Sequence, residues 1–159
     1  MAENYHLRRQ EKAIEDMDEI HAIIHEQAYM TLAMCREDQP YLVTLNYGYD
    51  SQNNCLYFHC ANEGKKFDYL RSNPKVWGQI IDDRGYIVGE CDHAYRSIEI
   101  DGVVDFLVSY EEKKRALDIM IDQIEPDPEP LKQRMVTEKR AAGVTIGRVK
   151  IHKITGKKN

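Results

Sequence analysis

Three β-rich segments follow one another with almost no chain between them: YMTLAMC (29–35), YLVTLNYGYD (41–50) and CLYFHC (55–60), separated only by REDQP and DSQNN. Parallel neighbours need a crossover of a dozen residues or more, so links this short allow only antiparallel pairing. The rest of the chain extends that pattern. KVWGQII (75–81) reads as a strand followed by a DDRG turn. RSIEIDGVVDFL (96–107) is a clear strand with a bulge or bend at Gly102, and VTIGRVKIHKIT (144–155) is a closing strand before a polar GKKN tail.

Helices are expected at the ends and at one crossover. DMDEIHAIIHEQA (16–28) carries an apolar stripe of Ile20, Ile23 and Ile24 behind an Asp16–Glu19 capping pattern. EGKKFDYLRSNP presents Phe67 and Leu70 to the core and stops at Pro74. SYEEKKRALDIMIDQI (109–124) starts from Ser109, with EEKKR on a solvated face. EPDPEP reads as a loop, and LKQRMVTEKRAAG as a last helix closed by Gly143. Strands in hairpin order with peripheral helices predict a mainly β fold with flanking helices, an antiparallel barrel occupying one domain over 1–159.

With 159 residues, 42% hydrophobic and 31% charged, the chain can bury one sizeable core and is neither disordered nor membrane-like in composition. Its start lacks the apolar core of a signal peptide, so a cytoplasmic protein is expected. The net charge of -5 argues against charge-driven nucleic-acid binding, but a small anion needs only a local patch. Cys35, Cys55, Cys60 and Cys91 are expected to be free thiols. A metal site from Cys55, Cys60, Cys91 and His93 lacks the close paired spacing of structural zinc. Tyr47 and Tyr49 share a strand face and read as core or interface.

In FHCANEGKKFDYLRSNP (58–74), an apolar strand passes through His59 and Gly64 into adjacent lysines that open a helix. Glycine admits a ligand close to the backbone, and the first helical turn offers unpaired N–H groups to an anion. Lysines on a solvated surface remain the plain alternative. The stretch 40–76, together with YRSIEIDGVV and the closing ITGKK, resembles the FMN-binding split-barrel family related to pyridoxamine 5'-phosphate oxidase, in the branch of nitroimidazole-resistance proteins. The motifs concerned are P-Y-x-V-x-L-N-Y-G-Y, Y-F-H-x-A-x-E-G-K-K and L-R-x-N-P-x-V.

That resemblance implies a homodimer of antiparallel split β-barrels with FMN in the grooves between subunits. It implies that Val43, Thr44, Leu45 and Asn46 run beside the flavin ring. His59, Cys60, Ala61, Lys65 and Lys66 would wrap the ribityl phosphate, with His59 and Ser97 near the ring, and Tyr95 could border the groove. Many relatives carry proline where this chain has Thr44, which adds a donor and a hydroxyl. The implied activity is an oxidoreductase passing electrons from NAD(P)H through FMN to a small acceptor such as a nitro compound. A non-catalytic flavin carrier and a haem-binding relative stay open. For haem, His6, His21, His25, His59, His93 and His152 are the candidate axial ligands.

Overall fold

The computed structural model describes residues 7–159; His6 lies outside them. Among the described residues eight strands form one antiparallel sheet: β1 (Ala13–Ile14), β2 (Tyr29–Arg36), β3 (Gln39–Asn46), β4 (Gly48–Asp50), β5 (Cys55–Cys60), β6 (Lys75–Ile87), β7 (Asp92–Phe106) and β8 (Thr145–Lys158). The main path runs β3-β2-β6-β7-β8-β5-β4, and β1 adds to β8. Its two end strands, β3 and β4, are consecutive in the chain and separated by Tyr47 alone. The sheet therefore has to curl until its ends meet, yet they do not pair with each other. The result is a barrel with a split along one side.

This corrects the single strand expected over 41–50. It breaks at Tyr47, whose ring is fully buried and whose hydroxyl donates to Ile24 O at 2.5 Å. The residues before the break pair with β2, and those after it pair with β5. The β2–β3 link closes to two residues, Glu37 and Asp38, both at positive φ, as the twist of a tight hairpin requires.

Around the sheet lie α1 (Met17–Glu26), α2 (Lys65–Ser72), α3 (Tyr110–Ile124), α4 (Pro128–Met135) and α5 (Glu138–Ala142). Asp16 caps α1 through Asp18 N, while Glu19 pairs with Lys158 instead of closing a capping box. Ile20, Ile23 and Ile24 fill the barrel beside Leu32, Ile80 and Ile100. Ser109 caps α3 through Glu112 N, as its position suggested. The backbone of α3 rests on Gly48, where a Cβ would lie 2.6 Å from Met120 Cα.

Five further expectations change. Pro128 sits in the first turn of α4, where its missing N–H costs nothing, so part of EPDPEP is helical. The last helix divides into α4 and α5. The DDRG segment is a bulge inside β6, not a turn, and β8 continues through GKK to Lys158. The EEKKR run is only partly solvated: Arg115 grips the buried carboxylate of Asp50, and Lys113 donates to the carbonyls of Ala141 and Val144. The bulge expected at Gly102 is present as a register shift between Asp101 and Gly102.

Candidate functional site at the split

β5 and β6 lie three places apart in the sheet, and α2 spans the gap. It begins at the end of β5 and lies across β2 and β3, where Asn73 Nδ2 donates to Cys35 O at 3.0 Å. Its N-terminus therefore sits at one end of the barrel's split, with β3 on one side and β5 on the other. Gly64 occupies the N-cap position with φ 118° and offers no side chain to the first-turn N–H groups. Nothing lies within 4 Å of the place its Cβ would take. The first turn of α2 thus presents free donors and the positive end of the helix dipole to open space.

Two cations stand beside that opening. Lys65 Nζ lies 4.5 Å above the Tyr41 ring of β3 and 5.4 Å from Tyr69, and the two rings meet edge to face at 5.3 Å. Lys66 is half-buried, with Nζ 5.7 Å from the Phe58 ring. Neither lysine forms an ion pair with a carboxylate among the described residues. Burial lowers the pKa of Lys66, with Cys60 opposing the effect. Burial and the Lys66 charge both lower His59, leaving its ring neutral at pH 7. A half-buried, unpaired ammonium gains stability when an anion arrives, so the residues present fit a phosphate.

The predicted residues divide into two groups. His59, Cys60, Ala61, Lys65 and Lys66 cluster at the start of α2. Val43 and Leu45 turn toward the core beside Tyr41, and Thr44 and Asn46 face outward. Thr44 Oγ1 lies 3.2 Å from Thr31 Oγ1, and Asn46 Nδ2 donates to Ala28 O at 3.1 Å. Ser97 stands apart. It is three strands from β3, roughly 14 Å. It also precedes Phe106 by nine residues, and Phe106 faces Gly147 beside the His59 partner Ile146. Counted along β7, that is nine residues, roughly 30 Å of strand, between Ser97 and the level of His59.

Tyr41, Tyr69 and Phe58, the rings flanking the lysines, were missed as site residues. The period-2 alternation placing Tyr41 on the face of Val43 and Leu45 was the available signal. The cysteine–histidine set does not converge: Cys55 is buried under α3, and Cys91 and His93 lie at the β6–β7 hairpin. Among the described residues no group of three or more His, Cys, Asp or Glu is placed to hold a metal, and all four cysteines are free. No helix there is long and apolar enough to cross a membrane.

An antiparallel split barrel with an uncapped, lysine-flanked helix at its opening defines the class of protein. The family model for pyridoxamine 5'-phosphate oxidase matches residues 16–158, and the chain belongs to that family. Among solved structures it is similar to a candidate 5-nitroimidazole antibiotic resistance protein from Bacteroides thetaiotaomicron. Identity there is 29%, coverage 91% of this chain and 85% of that one, and the TM-score 0.77. A FAD and haem binding protein from Mycobacterium smegmatis shares the fold, with 16% identity, coverage of 93% and 73%, and a TM-score of 0.78. An uncharacterized protein of Rhizobium meliloti is 47% identical over 51 residues, 32% of either chain.

Proposed function

We propose that this protein binds FMN between two copies of itself and acts as an oxidoreductase. The single observation that carries the reading is the pair of lysines without a carboxylate partner at the open start of α2, in a chain of net negative charge. Gly64 lets the phosphate reach the first-turn N–H groups, while Lys66 supplies a weakly screened charge. Tyr41 and Tyr69 hold Lys65 over the opening, and the outer edge of β3 leads from there toward Thr44 and Asn46. His59, neutral, adds a hydrogen-bonding group without repelling the flavin. FMN held there would supply the redox chemistry, carrying electrons from NAD(P)H to a small acceptor such as a nitro compound.

The second copy is argued from Ser97 and from the outer face of the sheet. If Ser97 borders a flavin whose phosphate rests on Lys66, it has to come from the partner subunit. The outward side chains of β2 and β3 include Tyr29 and Leu42, which are 61% and 63% exposed. Large apolar groups on an outer sheet face suit burial against another copy.

The test is FMN titration of the purified protein followed by gel filtration. A flavin spectrum that travels with a dimer supports the reading, and NAD(P)H consumption with a nitro acceptor then separates an enzyme from a carrier. No retained flavin sinks it; a haem absorption band on haem addition would favour the haem-binding alternative.

A further inference from the structure

A further charged opening shares no residue with α2. On the outer face, a groove of about 640 Å³ has Trp77, Ile81 and Tyr95 on its walls and Ser97 in its floor. Its two carboxylates are already engaged: Glu99 accepts from the Trp77 indole and from Gln79 Nε2, and Asp83 lies 2.7 Å from His93 Nε2. Leu7, Tyr95 and Lys157 are shared with an adjoining hollow of about 390 Å³, so the two are continuous. Arg8, Arg9, Lys12 and Lys157 line that hollow against a single carboxylate, Asp92.

None of these four cations forms an ion pair within 4 Å among the described residues. Lys12 donates to the Asn159 amide oxygen, and Lys157 Nζ sits 5.5 Å from the Tyr95 ring centroid. In a chain of net charge -5, a surplus of three positive charges at the end of an aromatic groove is a local design for an anion. The ligand it suits carries a flat ring for Tyr95, the aromatic side chain both hollows share, and phosphates for the basic end.

We infer that this groove is a second ligand site, taking the phosphate-bearing adenosine half of a dinucleotide with its phosphates on Arg8, Arg9, Lys12 and Lys157. The groove's place beside the flavin ring rests on the proposed function, through Ser97; the cationic site itself does not. Two dinucleotides carry this chemistry, NADPH as the electron donor and FAD as an alternative flavin.

The experiment is calorimetric titration of the purified chain with adenosine 2',5'-bisphosphate and with adenosine, at low salt. The bisphosphate is expected to bind and adenosine not to. Arg9→Gln/Lys157→Gln should weaken the bisphosphate about tenfold, and added salt should weaken it in the wild type as well. Lys157→Arg, which keeps the charge, should restore most of the affinity. Repeating the comparison with NADPH and with FAD identifies the source: whichever is weakened by the double variant is the occupant, and either supports the site. No bisphosphate binding, or binding unchanged in a folded double variant, overturns the inference. FMN binding is scored separately through Lys66→Ala. Failure of FMN with the bisphosphate still bound would remove the flavin reading and leave this site standing.

Discussion

Lys66→Ala is the substitution that tests the phosphate site most directly. In the free protein Lys66 is half-buried, without a carboxylate partner, and its pKa is lowered chiefly by burial. A charged hydrogen bond formed there is worth about 1.5–3 kcal/mol, so its removal should raise the Kd for FMN roughly 10- to 150-fold. Lys65 is exposed and its charge is screened by water. Lys65→Ala should therefore cost less than about 1 kcal/mol, a factor of five or below. Flavin fluorescence titration gives both numbers. The internal control is riboflavin, which lacks the phosphate: Lys66→Ala should leave its affinity within about twofold, since only the phosphate contact is removed. Thermal stability should not fall, because the substitution removes an uncompensated half-buried charge. Unchanged FMN affinity, or equal losses for FMN and riboflavin, would refute the assignment of Lys66 to the phosphate.

Other outcomes follow from the same geometry. Gly64→Ala should destabilise the protein by about 1–3 kcal/mol in chemical denaturation, from strain at φ 118° and not from any clash. Gly48→Ala drives a Cβ to 2.6 Å from the α3 backbone at Met120, which cannot turn aside; a loss of about 2–3 kcal/mol is expected in the same assay. Burial would raise the Asp50 pKa, but hydrogen bonds from Asn53 and Arg115 outweigh it and hold the carboxyl below its ordinary value. A folded-state pKa depressed in this way contributes stability above the unfolded value near 3.9 and loses it as pH falls through the folded value. Arg115→Gln should accordingly cost about 2 kcal/mol at pH 7 and flatten the acid limb of the stability–pH curve. Leu42→Lys on the outer face of β3 should shift the protein from dimer to monomer in sedimentation velocity, and a wild-type monomer would remove the case for a shared flavin.

Much of this molecule is legible in local sequence. Antiparallel pairing followed from links too short for any crossover, and the caps at Asp16 and Ser109 followed from side chains that satisfy nearby N–H groups. The lysine pair and its glycine could be read the same way, because a helix start and its flanking charges are neighbours in the chain. The break at Tyr47 could not be. YLVTLNYGYD has strand propensity throughout, and the barrel bends it by burying Tyr47 and bonding its hydroxyl to Ile24, distant in sequence. The helical start at Pro128 was hidden because proline punctuates loops and first turns alike. The polar GKK segment became a strand because β1 and β7 supply partners on both sides, and pairing partners outweigh local polarity. Tyr41 stacking on Lys65, and the gathering of Arg8 and Arg9 with Lys157, depend on which strands lie side by side. Sequence determined the elements and the chemistry each carries; only closure of the sheet decided which of them meet, because long-range pairing is set by the shared burial of a core that no local window contains.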